Sequence, residues 1–86
     1  DRSTMASPIT DTIRFALANS APVCLQVLSA DGRVVRTLLA EPRDAGAHTV
    51  LWDGRDATGR QVASGTYFCR LEAGPVVRTT RMTLVK

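Results

Sequence analysis

Three groups of residues in this 86-residue chain are of the types that do chemistry. The run Asp53-Gly54-Arg55-Asp56-Ala57-Thr58-Gly59 puts two carboxylates and a hydroxyl on one short polar stretch. Calcium loops use such oxygens, but at alternate positions and closed by a bidentate Glu twelve residues in. The spacing here differs, and no such Glu follows. Ser64, His48 and the nearby acids supply the ingredients of a hydrolase triad. They lack the strand-to-helix elbow that exposes such a serine, and there is no helix to hold one. Cys24 and Cys69, with a single His in the chain, fall short of a four-ligand zinc site. No catalytic residues, metal or cofactor are therefore expected. The polar run has a structural account instead: Gly54, Gly59 and Gly65 supply positive φ, and Asp53 and Asp56 cap the turn's own N–H groups.

The elements that position these residues have to be strands. Gly, Pro, Asn and Asp punctuate the chain at short intervals, and the stretches between them alternate apolar with polar side chains. In TDTIRFAL, Ile13, Phe15 and Leu17 share one side; in VCLQVLS, Val23, Leu25 and Val27 oppose Cys24, Gln26 and Leu28. Asp31-Gly32 between two such segments is a strong hairpin signal, with VVRTLL, residues 34–39, as the partner strand. Residues 41–46, containing Pro42 and Gly46, read as a connection that crosses between sheets. AHTVLW aligns His48, Val50 and Trp52, TYFCRL aligns Tyr67, Cys69 and Leu71, and VVRTTRMTLV turns Met82 and Leu84 inward. No long segment shows a 3.6 period. The expectation is an all-β fold: a small immunoglobulin-like antiparallel sandwich of six to seven strands without substantial helix.

Within that frame Phe15, Leu25, Trp52, Tyr67 and Leu71 are the expected core anchors, while Asp31, Gly32, Asp53, Gly54, Gly59 and Gly65 shape turns. Leu51 and Phe68 fall on the opposite sides of their strands from Trp52 and Tyr67. They are expected to form a small outer apolar patch for a partner. A chain this short buries only about 60–65% of the surface its unfolded form exposes, so the core is thin. Ten of its eleven basic residues are Arg, giving a net charge of +3, but they are scattered among the acids and only four aromatics are present. That distribution argues against a nucleic-acid footprint, which clusters cations and interleaves stacking rings. No run of eighteen apolar residues marks a membrane span and no signal-peptide pattern is visible. With no Met at position 1, the chain reads as an excised or processed product. Residues 1–8 show no period and are expected to form an arm ahead of a domain at 9–86.

The two cysteines leave alternatives open. An intrachain disulfide between Cys24 and Cys69 would contribute roughly 4 kcal/mol in the chain-entropy model. Yet Cys24 points away from Val23, Leu25 and Val27 while Cys69 points with Tyr67 and Leu71, so the parity opposes a bond between inward faces. Free thiols and interchain bonds are the other readings.

From TDTIRFAL to RMTLVK the chain resembles the Ig-like domain of the flagellar hook-capping protein FlgD and the similar C-terminal modules of secreted bacterial proteins, type IX sorting domains included. The resemblance rests on TIRFAL, on V-x-L-x-V followed by DGRVVRTL, on AGAHTVLWDGRDATGRQVASGTYFCRLEAG, and on TRMTLVK. It departs from the usual pattern at MASPITD, which replaces an Asn-Pro element, and at Cys69, where an aromatic or aliphatic residue is more usual. What it implies is a non-enzymatic extracellular or cell-surface module of a bacterial protein that sorts, anchors or assembles. Its partners would be proteins: parent polypeptide, secretion machinery or identical subunits, not nucleic acid or a small-molecule substrate. The alternative is a subunit of an extracellular filament that donates its arm or an edge strand to a neighbour.

Overall fold

Alternation along each strand decides which side chains leave water, and two stacked sheets collect them. The structure is a computed structural model in which residues 11–84 are described. In chain order the strands are β1 (Asp11–Leu17), β2 (Ala21–Ser29), β3 (Val34–Arg43), β4 (Gly46–Trp52), β5 (Gly65–Ala73) and β6 (Val76–Leu84). β1 pairs with β4 as a two-stranded sheet, and the other four form a sheet in the order β3-β2-β5-β6. Every pairing is antiparallel, and no helix occurs among the described residues.

Central β2 sends Val23, Leu25 and Val27 inward, all of them buried. Val23 and Leu25 meet Leu17, Leu39, Cys69 and Ala73 in one cluster, with Ile13, Phe15, Val50 and Leu71 packed against it. Val27 joins Trp52, Tyr67 and Leu84 in a second. Ile13, Leu38 and Met82 touch both, so the core is continuous. Of the expected anchors, Leu25 and Trp52 are fully buried and Tyr67 nearly so, whereas Phe15 and Leu71 are half-buried at the margin. Phe15 does not reach Trp52. It stacks on His48 instead, with ring centroids 5.2 Å apart.

β3 departs from plain alternation. Its register against β2 shifts between Leu25 and Gln26 and again between Val27 and Leu28, which leaves Leu38 and Val35 without cross-strand partners. Both extra residues pack into the core, as β-bulges allow by re-aiming a side chain. β3 also runs past the expected end at 39 to Arg43, with Pro42 opposite Pro22. This is an edge strand, where a proline's missing N–H need not remove a ladder bond. The crossing to the smaller sheet is accordingly made by Asp44 and Ala45 alone.

The β2–β3 hairpin closes as the Asp31-Gly32 signal implies. Ser29 N–H donates to the Arg33 carbonyl at 2.8 Å, Gly32 N–H to the Ser29 carbonyl at 2.9 Å, and Gly32 takes a φ of 89°. The Ser29 hydroxyl donates to the Asp31 carboxylate and, with the Arg33 backbone and charge, holds that carboxyl below its ordinary range.

Candidate interaction surface

The polar stretch between β4 and β5 spends its carboxylate oxygens on its own backbone and on β3. Asp53 Oδ1 accepts from Arg36 Nη1 at 2.8 Å and from the Arg55 N–H at 3.1 Å. Asp56 Oδ1 accepts from the Thr58 hydroxyl at 2.6 Å, the Thr58 N–H at 2.9 Å and the Arg60 N–H at 3.1 Å. The Thr58 hydroxyl leads the causes that keep the Asp56 carboxyl below its ordinary range. Val62 N–H closes the loop onto the Gly54 carbonyl at 2.9 Å, and Ala57 N–H reaches the Val35 carbonyl at 3.1 Å, tying the loop to the bulged part of β3.

Two aromatic side chains pin the loop's ends. Trp52 Nε1 donates to the Arg55 carbonyl at 2.9 Å and the Tyr67 hydroxyl to the Ala63 carbonyl at 2.7 Å. Their rings meet edge to face, 5.4 Å between centroids and 67° between planes. Carboxylates committed in this way form turn geometry. Among the described residues no group of three or more His, Cys, Asp and Glu could hold a metal ion.

His48 sits on β4 with Nε2 engaged by the Asp44 carbonyl at 2.7 Å, within its own strand connection. Of the readings left open for the two cysteines, the structure has free thiols at Cys24 and Cys69. The residues lie on adjacent strands, but Cys24 faces Glu72 and Cys69 faces Val27, three register positions apart and on opposite faces of the sheet. Cys69 is buried, which pushes its thiol up to about 11, while Cys24 is half-buried on the outer face.

The single outer patch of Leu51 and Phe68 is also corrected. Leu51, 61% exposed, belongs to the two-stranded sheet and Phe68 to the four-stranded one, so their outward directions are opposed across the sandwich. What Phe68 does join is a cross-strand row: Val34 on β3, Leu28 on β2, Phe68 on β5 and Arg81 on β6. The next row outward is polar, with Thr37, Gln26, Arg70 and Thr79, followed by Ala40, Cys24, Glu72 and Val77. Gln26 Nε2 donates to Thr37 Oγ1 at 3.3 Å and Arg70 pairs with Glu72 at 2.6 Å. Val34 and Val77 are more than half exposed. Leu28 and Val34 were missed as surface residues because alternation alone does not show which strands lie side by side. The arm expected over residues 1–8, and a filament built by donating it, lie outside the described residues.

Two antiparallel sheets stacked on a Trp–Tyr pair, with an apolar row on the outer face of the larger one, define an immunoglobulin-like β-sandwich. The comparisons narrow this. The chain belongs to the FlgD Ig-like domain family, whose sequence pattern matches residues 4–75. It is 39% identical over 62 residues to the basal-body rod modification protein FlgD of Salmonella typhimurium, and equally to that of Salmonella typhi. Those matches take in 69% of this chain and 27% of either relative, so the chain spans about a quarter of their length. Among solved structures, FlgD from P. aeruginosa superposes with a TM-score of 0.69 at 25% identity, covering 87% of this chain and 60% of that one. FlgD from Xanthomonas campestris, described in terms of hook capping essential for flagellar assembly, shares the fold with a TM-score of 0.68 at 22% identity, covering 88% and 56%.

Proposed function

We propose that this domain is a non-enzymatic structural module of a FlgD-like protein. It works in the assembly of an extracellular flagellar structure by binding other protein subunits. The observation that supports the reading is the outer face of the four-stranded sheet in a member of this family: the Val34–Leu28–Phe68 row is apolar there, with Val34 exposed, Leu28 and Phe68 half-buried, and Arg81 at its end. A flat apolar row beside a polar one is the arrangement of a protein contact, with a hydrophobic centre and a hydrogen-bonding rim. The relatives direct the reading to flagellar assembly and give no support to type IX sorting or surface anchoring.

A domain exchange tests it. This chain replaces the matching 62-residue region of Salmonella FlgD, in a strain that lacks FlgD, and hook formation and swimming are scored. The chimera is expected to restore both, and Phe68→Asp in the same chimera to abolish them at unchanged abundance. An exported, folded chimera that builds no hooks would sink the proposal. So would a fully functional Phe68→Asp chimera, as far as this face is concerned.

A further inference from the structure

The two sheets are unequal, and the difference leaves an opening. The two-stranded sheet covers the inner faces of β2 and β5, but β6 is exposed along most of its length. Between the edge of β1 that pairs with no other described strand and the inner faces of β5 and β6 lies a cleft of about 790 Å³. Its floor is apolar: Ile13, Phe15, Leu25, Cys69, Leu71 and Met82. Its charged members are Arg14 and Arg78. Arg78 is paired in register with Leu71 and so projects from the inner face of the sheet. Among the described residues neither arginine has an acidic partner.

We propose that this cleft receives an extended segment of a partner protein. The segment adds as a third strand to the edge of β1 that no described residue pairs, lays apolar side chains on the Phe15–Leu71–Met82 floor with one inward carboxylate over Arg78, and sets a second carboxylate on its outward side beside Arg14, which alternation turns away from the floor. An open strand edge supplies the backbone hydrogen bonds, and alternate side chains supply specificity. The arginines set the chemistry of the occupant, because a strand covering them removes cations from water and must bring counter-charge. That requirement disfavours a second copy. Among the described residues its own edge strands are β6, which has Arg78 and Arg81 and no acid, β4, which has no acid, β1, whose midpoint is Arg14 and whose one acid is its first residue, Asp11, and β3, where Glu41 is already paired with Arg43 at 3.6 Å and followed by Pro42.

Cys69 reports on the cleft it lines. In the full chain carrying Cys24→Ser, alkylation of Cys69 is followed with and without a ten-residue probe peptide that alternates Val with Glu and Thr except at one inward position, where Glu replaces Val to meet Arg78. At a peptide concentration ten times its half-saturating value, labelling is expected to slow about tenfold. Arg78→Glu and Arg14→Glu should each weaken the protection, while Arg33→Glu in the distant hairpin leaves it intact. A peptide with Lys in place of Glu should protect poorly. No protection, or equal protection by the Lys peptide, overturns the proposal. Labelling that slows with protein concentration alone assigns the cleft to a second copy. Labelling that accelerates on deleting residues 1–9, without peptide, assigns it to the chain's own N-terminal segment. Either result also overturns the proposal.

Discussion

Replacing Trp52 by Phe separates two roles of one side chain, because the ring remains while the indole N–H and part of the bulk are removed. The lost bond to the Arg55 carbonyl is a neutral one at 2.9 Å and is worth about 0.5–1.5 kcal/mol. Trp52 is fully buried; the missing volume of roughly 40 Å³, at about 24 cal/mol per Å³ of residual cavity, adds about 1 kcal/mol. The sum of about 2 kcal/mol corresponds to a fall in Tm of about 8–16 °C for a domain of this size. Tyr67→Phe removes only the bond to the Ala63 carbonyl, so about 1 kcal/mol and about 4–8 °C are expected. Both side chains hold the same loop, one at each end. Once one anchor is gone the other restrains less, and the double variant should fall short of the sum by about 0.5 kcal/mol or more. Thermal unfolding followed by far-UV circular dichroism reads all four proteins without relying on Trp fluorescence. A Trp52→Phe shift below about 3 °C, less than 1 kcal/mol on this scale, would refute the claim that the indole pins the loop. Strict additivity would refute the coupling.

Three further outcomes are expected. Under native conditions at neutral pH, Cys24 should react with iodoacetamide well before Cys69, whose burial raises its thiol to about 11, and intact mass should show no loss of two hydrogens on oxidation within one chain; equal rates would contradict the burial. Leu25→Ala, at the fully buried centre of β2, should cost about 2–5 kcal/mol in urea unfolding, whereas Leu51→Ala on the exposed outer face should change stability by less than about 0.5 kcal/mol. Asp56 has a carboxyl held below its unfolded value, so its contribution is present above the unfolded pKa and is lost as pH falls through the folded one. The Tm gap between wild type and Asp56→Ala should therefore be flat from pH 7 to about 5 and close below about 4. A gap that widens in acid would reverse the sign of the argument.

Alternation made the strands legible because most of them have one face in water. Val23, Leu25 and Val27 could be assigned inward before any coordinates, and Asp31-Gly32 located the hairpin. Period two does not say which sheet a strand joins, however. Leu51 and Phe68 were each placed outward correctly, yet only the topology shows them on opposite sides of the sandwich. Pro42 hid the last turns of β3, because a proline signals a break unless the strand is known to be an edge. The bulges at Val35 and Leu38 were invisible for a related reason: an extra residue breaks the period that the reading depends on. Parity already opposed the disulfide. The cleft was beyond reach, since it exists only because one sheet is two strands narrower than the other.

The loop between β4 and β5 separates what it needs from what it shows. Its path is dictated by Asp53, Asp56, Thr58, the buried Gly54 and the two aromatic anchors, most of them acting on backbone groups. The side chains of Ala57 and Gln61 are exposed and take no part in that network. Related domains are thus free to exchange those two residues, varying what the loop displays to a neighbour without re-solving how it folds.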